Sequence, residues 1–402
     1  MQHARFTGRR MLLGAAVVVV ALVASGCQPF AAPGDTSKIQ LVSSTVQSGY
    51  RIEFYRNTAY PCAISGYQTF AIGYRETQAT TAARPLWVHL HGGGVGWFDA
   101  AGQPKPNTSH MSEENLDALL NNSAGGVLTP GLMQQVFADP AEFRVLAVSG
   151  CDRDLYGGGG KLDPNNPNLA PDGTAIRTNG LHATKAAIQF SRNRFATTKM
   201  IVSGVSAGSI GSYHVAWSLQ LQGIAPAGII ADSFVMNQEW SQAVIDQQIP
   251  CPTGYAVGAP TTSTELAAIR ARLHPRIANV ANQPDMVVAD GRLTVPVMQV
   301  WSPGDPFGCG ATLMDCTLRD GTVVTIGSVD CVNEPLRQAI AAQGPTSRSK
   351  SLRLCVQNPE FPLIPCSGHG MIMIAGVNTD PAFPADYNTA IMDWARARLA
   401  DP

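Results

Sequence analysis

The chain has 402 residues, a formal net charge of −1 and 14% charged side chains, while 45% of its residues are hydrophobic. This length can bury one large core or two modest ones. The lack of any basic run leaves nucleic-acid binding without support, and the low charge with many Ala, Gly and Pro residues favours a compact exported enzyme.

The first 27 residues are predicted to be a signal peptide. MQHARFTGRR is basic, and MLLGAAVVVVALVAS is an apolar run of 15 residues, too short for a comfortable membrane span. ASGC at 24–27 resembles a bacterial lipobox, which makes Cys27 the expected site of lipid attachment. The pair Arg9-Arg10 resembles a twin-arginine signal, and plain secretory cleavage or an uncleaved anchor stay open. We expect a bacterial cell-envelope protein, lipid-anchored to the outer face of the cytoplasmic membrane or secreted, with residues 28–38 as a flexible tether.

Residues 39–402 are predicted to form one catalytic domain. Alternating apolar residues predict two antiparallel strands, YRIEFYRNTAY and YQTFAIGYRE, and apolar runs predict buried strands in PLWVHL and FRVLAVSG. SEENLDALLNN and HATKAAIQFSRNRF predict helices. GGGGKLDPNNPNLAPDG is dense in Gly, Pro and Asn and predicts a long loop, for which a solvated lid is expected.

The second half of the domain continues this alternation. KMIVSG, AGIIADSF, VPVMQVWS and SLRLCVQ predict buried strands, and TAIMDWARARLA predicts a closing helix. TELAAIRARL predicts a helix inside a covering insertion, or cap, of about residues 236–292. The fold class is therefore predicted to be α/β, with a mostly parallel central sheet and helices on both faces.

Eight cysteines remain after Cys27, and this even number predicts up to four disulfides in an exported chain. Cys316 and Cys331 flank the predicted hairpin TLRDGTVVTIGSVD and form the easiest local pair. Cys309 and Cys366 either join each other or bond elsewhere. The aspartates between residues 152 and 172 match no calcium template, and no zinc-ligand spacing is present, so no metal is predicted.

KMIVSGVSAGSIGSYHVAW, residues 199–217, predicts a buried strand that breaks sharply into a helix. Ser206 stands at the centre of the GVSAG turn, the context of a nucleophile elbow that exposes Oγ at the end of a sheet. Gly204 and Gly208 omit side chains where helix and strand pass closely. An ordinary serine in a glycine-rich loop is the alternative, and the rest of the chain decides between them.

A glycine run, His91-Gly92-Gly93-Gly94, follows the strand PLWVHL. Consecutive glycines let the main chain approach a developing oxyanion without side-chain obstruction. We therefore predict that Gly93, Gly94 and Ala207 supply the oxyanion-hole N–H groups. HGGG upstream of GxSxG is typical of esterases and lipases, and a flexible glycine loop is the alternative.

Two later strand ends supply the candidate acid and base. Asp305 follows VPVMQVWS and a Pro-Gly turn, and is predicted to accept the Nδ1–H of the catalytic histidine. Asp232 in IIADSF is the rival acid. His369 in CSGHG lies in a small-residue loop after the last strand, downstream of Ser206 and Asp305, and is the predicted general base.

The order strand-HGGG, strand-GVSAG-helix, strand-Asp and loop-His resembles the α/β-hydrolase superfamily of serine esterases over most of residues 40–400. A narrower resemblance links the chain to the pectin acetylesterase/Notum family, through a glycine-rich loop ending in Trp97, VSGCDRDLYGGG, GVSAG and IIADSF. Trp97 stands two residues later than in that family, and the cysteine pair usual near it is missing. The resemblance implies removal of small acyl groups, such as acetate, from a larger molecule.

These residues predict a serine carboxylesterase that works through an acyl-enzyme intermediate, without a metal or an organic cofactor. The expected substrate is an ester, such as an acylated carbohydrate or lipid, and the membrane is a partner through the lipid anchor. An acyltransferase or serine peptidase on the same fold, and a non-catalytic cell-surface binding module, are the alternatives. Trp97 and Tyr156 either shape the substrate pocket or are ordinary core aromatics.

Overall fold

The strands of the molecule alternate with its helices along the chain, as the sequence predicts. A computed structural model describes residues 28–105, 111–121, 127–128, 130–234, 237–246, 251, 260–310 and 312–402, so the predicted signal peptide and Cys27 lie outside the described residues. The described strands are β1 (Ile39–Gln47), β2 (Tyr50–Pro61), β3 (Tyr67–Arg75), β4 (Arg84–Leu90), β5 (Trp97–Phe98), β6 (Pro104–Lys105), β7 (Arg144–Val148), β8 (Lys161–Leu162), β9 (Arg177–Thr178), β10 (Thr197–Val205), β11 (Gly228–Asp232), β12 (Val297–Trp301), β13 (Leu313–Thr317), β14 (Val323–Gly327) and β15 (Lys350–Arg353).

The described helices are α1 (Leu116–Asn121), α2 (Leu132–Ala138), α3 (Gly180–Arg194), α4 (Ala207–Leu221), α5 (Gln238–Ile245), α6 (Ser263–Arg272), α7 (Pro275–Ala278), α8 (Pro284–Ala289), α9 (Ser328–Ala341) and α10 (Tyr387–Ala400). Among the described residues, none of these helices is both long and apolar enough to cross a membrane.

Nine of the described strands form one sheet, in the order β1-β2-β3-β7-β4-β10-β11-β12-β15. The strands from β7 to β15 in this order are all parallel, while β1, β2 and β3 pair antiparallel at the N-terminal end. The predicted antiparallel pair is therefore β2 and β3, and the predicted α/β class with a mostly parallel sheet is confirmed.

Successive side chains of the central strands point into two different helix layers. In β10, Met200 and Val202 pack in the cluster that contains residues of α3, α4, α8 and α9, whereas Ile201 and Val205 pack with residues of α1, α2 and α10. Burial of an aliphatic side chain of this size stabilises the fold by about 1.5–3 kcal/mol. The two-sided apolar pattern of the parallel strands thus places helices on both faces.

Strand β1 and helix α9 were not predicted from the sequence. Strand β1 has no apolar alternation to detect, because all its side chains after Ile39 are exposed. Helix α9 begins directly after the hairpin strand β14 and contains Pro335, which hides its helical pattern. Helices α5, α6, α7 and α8 fall inside the predicted insertion of residues 236–292.

Residues 28–38 do not form the free tether that the sequence predicts. The side chain of Phe30 is buried against Trp217, with ring centroids 5.0 Å apart. The Gln28 amide donates to the Gly159 carbonyl at 3.0 Å, and Lys185 Nζ donates to the Phe30 carbonyl at 2.8 Å. The buried ring of Phe30 and these hydrogen bonds together fasten the segment to the domain.

The long loop after β7 is buried at its start and more open farther along. Residues 151–160 are all buried, whereas most of residues 161–173 are half-buried or exposed, as expected of a solvated loop. Asp154 accepts the backbone N–H groups of Gly158 and Gly180, and Asp163 pairs with Arg272 at 2.6 Å, with both side chains almost fully buried. Because these N–H groups and the Arg272 side chain satisfy the two carboxylates, both aspartates can be buried. Within the described residues, no group of three or more His, Cys, Asp or Glu side chains could hold a metal ion.

All eight described cysteines are joined in disulfides, as their even number predicts. The local pair Cys316–Cys331 is confirmed. Cys309 and Cys366 do not join each other: Cys309 pairs with Cys251 of the insertion, and Cys366 pairs with Cys355. The fourth bond, Cys62–Cys151, links the chain after β2 to the loop after β7. The loops that carry Asp305 and His369 are therefore each fixed by a bond of their own.

Candidate active site

Ser206 occupies the turn between β10 and α4. Its backbone has φ 53° and ψ −116°, a conformation that non-glycine residues rarely adopt, and it is half-buried while its neighbours in the turn are buried. Such strain costs on the order of 1–3 kcal/mol and is concentrated at functional sites. The turn has the strand, bend and helix of the predicted nucleophile elbow.

The glycines of the turn permit the close approach of three elements. A Cβ at Gly204 would lie well inside 3.0 Å of the Gly208 carbonyl oxygen. A Cβ at Gly208 would overlap the Leu90 carbonyl oxygen and lie 2.9 Å from that of His91. The first turn of α4 is thus packed directly against the end of β4, where the HGGG run begins.

We expect Gly208→Ala to destabilise the protein by about 3 kcal/mol or more, because its Cβ meets backbone atoms that cannot rotate away. Thermal unfolding measures this effect. The control is Gly73→Ala in β3, where the nearest atoms, 3.5 Å away, belong to the ring of Phe137. Equal unfolding temperatures for the two variants would contradict the close packing of the turn.

The predicted oxyanion loop lies beside the serine turn. Leu90 pairs with Gly204 in the parallel register of β4 and β10, so the glycine run leaves the sheet next to Ser206. Gly93 and Gly94 have φ values of +123° and +78°, which favour glycine. Gly93, Gly94 and Ala207 therefore share one edge of the sheet.

A buried charged network supports this loop, and sequence reasoning did not identify it. His91 Nε2 lies 2.9 Å from Glu114 Oε2, and its Nδ1 lies 2.6 Å from the Gly92 carbonyl oxygen. Arg153 Nη1 donates to the Gly93 carbonyl. Burial raises the pKa of Glu114, but the charge of His91, its hydrogen bond and the charge of Arg153 outweigh it and hold this pKa below its ordinary value. The network fixes the carbonyls of the loop and leaves its N–H groups to face the other way.

Tyr156 also holds the predicted oxyanion loop in place. Its hydroxyl donates to the His91 carbonyl at 3.1 Å, and its ring packs against Gly211 of α4. Trp97 is buried in an apolar cluster with Ala207 and Ile210, the residues that follow Ser206 on α4. Tyr156 is thus a core aromatic behind the oxyanion loop, whereas Trp97 lies on the side of the serine helix.

Asp305 and His369 form a hydrogen-bonded pair. His369 Nδ1 lies 2.6 Å from Asp305 Oδ2, and the side chains are 14% and 1% exposed. Asp305 Oδ1 accepts the Phe307 N–H at 3.0 Å, and the Phe307 ring packs on the imidazole with centroids 4.5 Å apart. The Gly304 amide also donates to the Cys366 carbonyl at 3.0 Å, so the backbones of the two loops are joined.

The electrostatic environment favours the charged imidazole. Burial lowers the pKa of His369, but the charge of Asp305, its hydrogen bond and the charge of Asp232 raise it, and the result lies above the ordinary 6.5. Burial raises the pKa of Asp232 to about 7, against hydrogen bonds from Ile372 and Ser233 that lower it. The histidine is therefore a stronger base than a free imidazole.

The loop of His369 lies against the serine turn. Gly370 follows the histidine, and a Cβ built on it would lie 3.1 Å from Val205 Cγ1, next to Ser206. The Gly370 amide donates to Ser233 Oγ at 2.8 Å, while the Ser206 amide donates to the Asp232 carbonyl at 2.9 Å. The four predicted strand ends thus lie at one edge of the sheet. The imidazole of His369 is hydrogen-bonded to Asp305 and not to the rival acid, Asp232.

Solved structures with a related architecture include two esterases and a cyclase. A Bacteroides fragilis protein described as an acetyl xylan esterase is 14% identical, with a TM-score of 0.43 over 92% of this chain and 84% of that chain. Vibralactone cyclase is 11% identical, with a TM-score of 0.44 over 89% and 83%. Brefeldin A esterase, a bacterial homologue of human hormone-sensitive lipase, is 12% identical, with a TM-score of 0.42 over 90% and 79%. These likenesses are too loose for any residue role to be transferred.

No protein-family model matches the chain, and no curated protein matches it. Its own topology is more informative: a parallel sheet extended by antiparallel N-terminal strands, a serine turn between β10 and α4, an aspartate after β12 and a histidine after β15. The structure therefore has an α/β fold with a mostly parallel central sheet, and the candidate serine, aspartate and histidine follow its strands in the predicted chain order.

Proposed function

We propose that the protein is a serine carboxylesterase in which Ser206 is the nucleophile, His369 the general base and Asp305 the acid that orients it. The observation that carries this proposal is the 2.6 Å hydrogen bond between Asp305 and His369, in a loop packed against the strained serine turn. A carboxylate in this position fixes the imidazole tautomer and stabilises the imidazolium that forms during the reaction.

The reaction proceeds in two balanced steps. Ser206 Oγ attacks the ester carbonyl carbon while His369 Nε2 takes the hydroxyl proton, and the collapse of the tetrahedral intermediate breaks the bond to the alcohol, which leaves with that proton. Water then attacks the acyl-enzyme with the same base and releases the carboxylic acid. The N–H groups of Gly93, Gly94 and Ala207 stabilise the oxyanion, each by about 3–4 kcal/mol.

Ala207 and Ile210 of the serine helix pack with Val95, Trp97 and Phe234 in a buried apolar cluster. The resemblance of the GVSAG and IIADSF segments to the pectin acetylesterase/Notum family supports a small acyl group. We therefore propose acetyl or similarly small acyl esters of a carbohydrate or lipid as substrates.

We also propose that the protein is exported and held at the membrane by a lipid on Cys27, or secreted. The four disulfides support this location, because such bonds persist in oxidising compartments and are rare in the bacterial cytosol.

A panel of p-nitrophenyl esters from acetate to palmitate, with peptide anilides beside it, tests the proposed activity on the exported protein. We expect turnover of the acetate ester, a decline with chain length and no cleavage of the anilides. Added alcohols distinguish an acyltransferase, which would form new esters faster than free acid. Failure to hydrolyse any ester, together with no labelling by a fluorophosphonate, would favour a binding module instead.

The raised pKa of His369 predicts the pH profile. The imidazole must be neutral to accept the serine proton, so kcat/KM is lost as the pH falls through this pKa. We expect the acidic midpoint above 6.5, the ordinary value for histidine. Initial rates with p-nitrophenyl acetate between pH 5 and 9 measure it, and a midpoint well below 6.5 would contradict the assigned pair.

A further inference from the structure

A second carboxylate lies beside the catalytic pair, and the triad does not use it. Asp232 ends β11 and is opposite Val205 in the parallel register of β10 and β11. Its side chain is fully buried, and both of its carboxylate oxygens accept hydrogen bonds. Burial of a carboxylate is expensive unless its partners repay the cost, so this placement requires an explanation.

The hydrogen bonds of Asp232 join two catalytic loops. Its backbone carbonyl accepts the Ser206 N–H at 2.9 Å, and its Oδ2 accepts the Ile372 N–H at 2.8 Å. Its Oδ1 accepts the Ser233 hydroxyl at 2.9 Å, and this hydroxyl oxygen accepts the Gly370 N–H at 2.8 Å. One residue therefore contacts the nucleophile turn through its main chain and the histidine loop through its side chain.

Both contacts of the histidine loop lie directly after the histidine. Gly370 follows His369 directly, and Ile372 lies two residues farther along the same loop. Ser233 is itself held to β12, because its amide donates to the Val300 carbonyl at 2.9 Å. This loop, of which Met371–Met373 form a single 3₁₀ turn, thereby acquires two fixed points on the rigid sheet, which a general base needs to keep its distance to the nucleophile.

We propose that Asp232 is a positioning residue for His369, and that it holds the imidazole-bearing loop against the Ser206 turn while its charge supports the imidazolium. This inference rests on the proposed function, since it assigns His369 the role of general base. Three titratable groups face Asp232: His369 and Asp305 from the two catalytic loops, and Tyr387 from α10. The tyrosine hydroxyl donates to the Met371 carbonyl at 2.9 Å and so supports the same loop.

Two variants separate the charge of Asp232 from its geometry. Asp232→Asn removes the charge and one of the two acceptors, because an amide NH₂ cannot accept a hydrogen bond. Ser233→Ala removes the link to Gly370 but retains the carboxylate and its contact with Ile372. Asp139→Asn serves as the control for loss of a buried carboxylate, since Asp139 accepts the Ala141 N–H and pairs with Arg396 at 2.8 Å, away from the catalytic loops.

The variants of the exported protein are compared by kcat and KM for p-nitrophenyl acetate between pH 5 and 9. For Asp232→Asn we expect kcat to fall about 100-fold, as for a displaced catalytic group, with KM within about twofold. We also expect the acidic midpoint of kcat/KM to move to lower pH, because Asp232 carries a negative charge near His369 above its own pKa of about 7, whereas the amide carries none. For Ser233→Ala we expect a smaller fall in kcat and an unchanged midpoint.

An Asp232→Asn enzyme with wild-type kcat and midpoint would overturn the proposal, as would a loss no greater than that of Asp139→Asn. If Asp232→Asn does not fold, Ser233→Ala decides: a fall in kcat at constant KM supports the proposal, and wild-type kinetics overturn it. Ser206→Ala, assayed in parallel, distinguishes the two levels of inference. If the Ser206→Ala variant still hydrolyses the ester, the proposed function is wrong. If Ser206→Ala is inactive but Asp232→Asn has the kinetics of the wild type, only this inference is wrong.

Discussion

Ser206→Ala is expected to abolish ester hydrolysis, with kcat reduced by about six orders of magnitude, as when the nucleophile of a serine hydrolase is removed. The variant retains the Cβ and the backbone of the turn, so it loses only the oxygen that attacks the carbonyl carbon. Its unfolding temperature should stay close to that of the wild type. Hydrolysis of p-nitrophenyl acetate and covalent labelling by a fluorophosphonate measure the loss of activity.

The matched control is Ser209→Ala, three residues later on α4. The Ser209 hydroxyl is buried and has no hydrogen-bond partner among the described residues, so its removal should leave labelling and turnover close to those of the wild type. A labelled Ser206→Ala protein would show that the probe reacts elsewhere and would exclude Ser206 as the nucleophile.

The sequence was sufficient to locate the serine turn because its signals are local. Two glycines at fixed distances from Ser206, an apolar strand before it and a helix after it specify the turn, and the close contacts of Gly204 and Gly208 explain why those positions carry no side chain. Asp305 and His369 could be predicted as acid and base from their order along the chain after Ser206, since parallel strands bring their carboxyl ends to one edge of the sheet.

The support around these residues could not be predicted, because it joins parts of the chain that have no common pattern. Glu114 reaches His91 from 23 residues away, and Arg153 contacts Gly93 across 60. Phe30 is one aromatic residue in a segment of otherwise polar and small character, and only the site on α4 shows that it is buried. The partners of Cys309 and Cys366 had to be left open for the same reason, since connectivity depends on distances that sequence does not encode locally.

Asp305→Asn is expected to reduce kcat by about 10⁴-fold and to leave the fold intact. In the wild type, Asp305 Oδ2 accepts from His369 Nδ1 at 2.6 Å, which leaves Nε2 free to take the serine proton. An amide NH₂ in that position would donate to Nδ1 and move the proton to Nε2, the wrong tautomer for a base, as known for this substitution in a serine-protease triad. Steady-state kinetics and the rate of fluorophosphonate labelling measure the effect, and Asp139→Asn provides the control for loss of a buried carboxylate.

The comparison with Asp232→Asn decides which aspartate is the acid of the triad. If Asp232 were the partner of His369, kcat would fall about 10⁴-fold in Asp232→Asn, and Asp305→Asn would remain active. The observed hydrogen bond between Asp305 and His369 predicts the reverse.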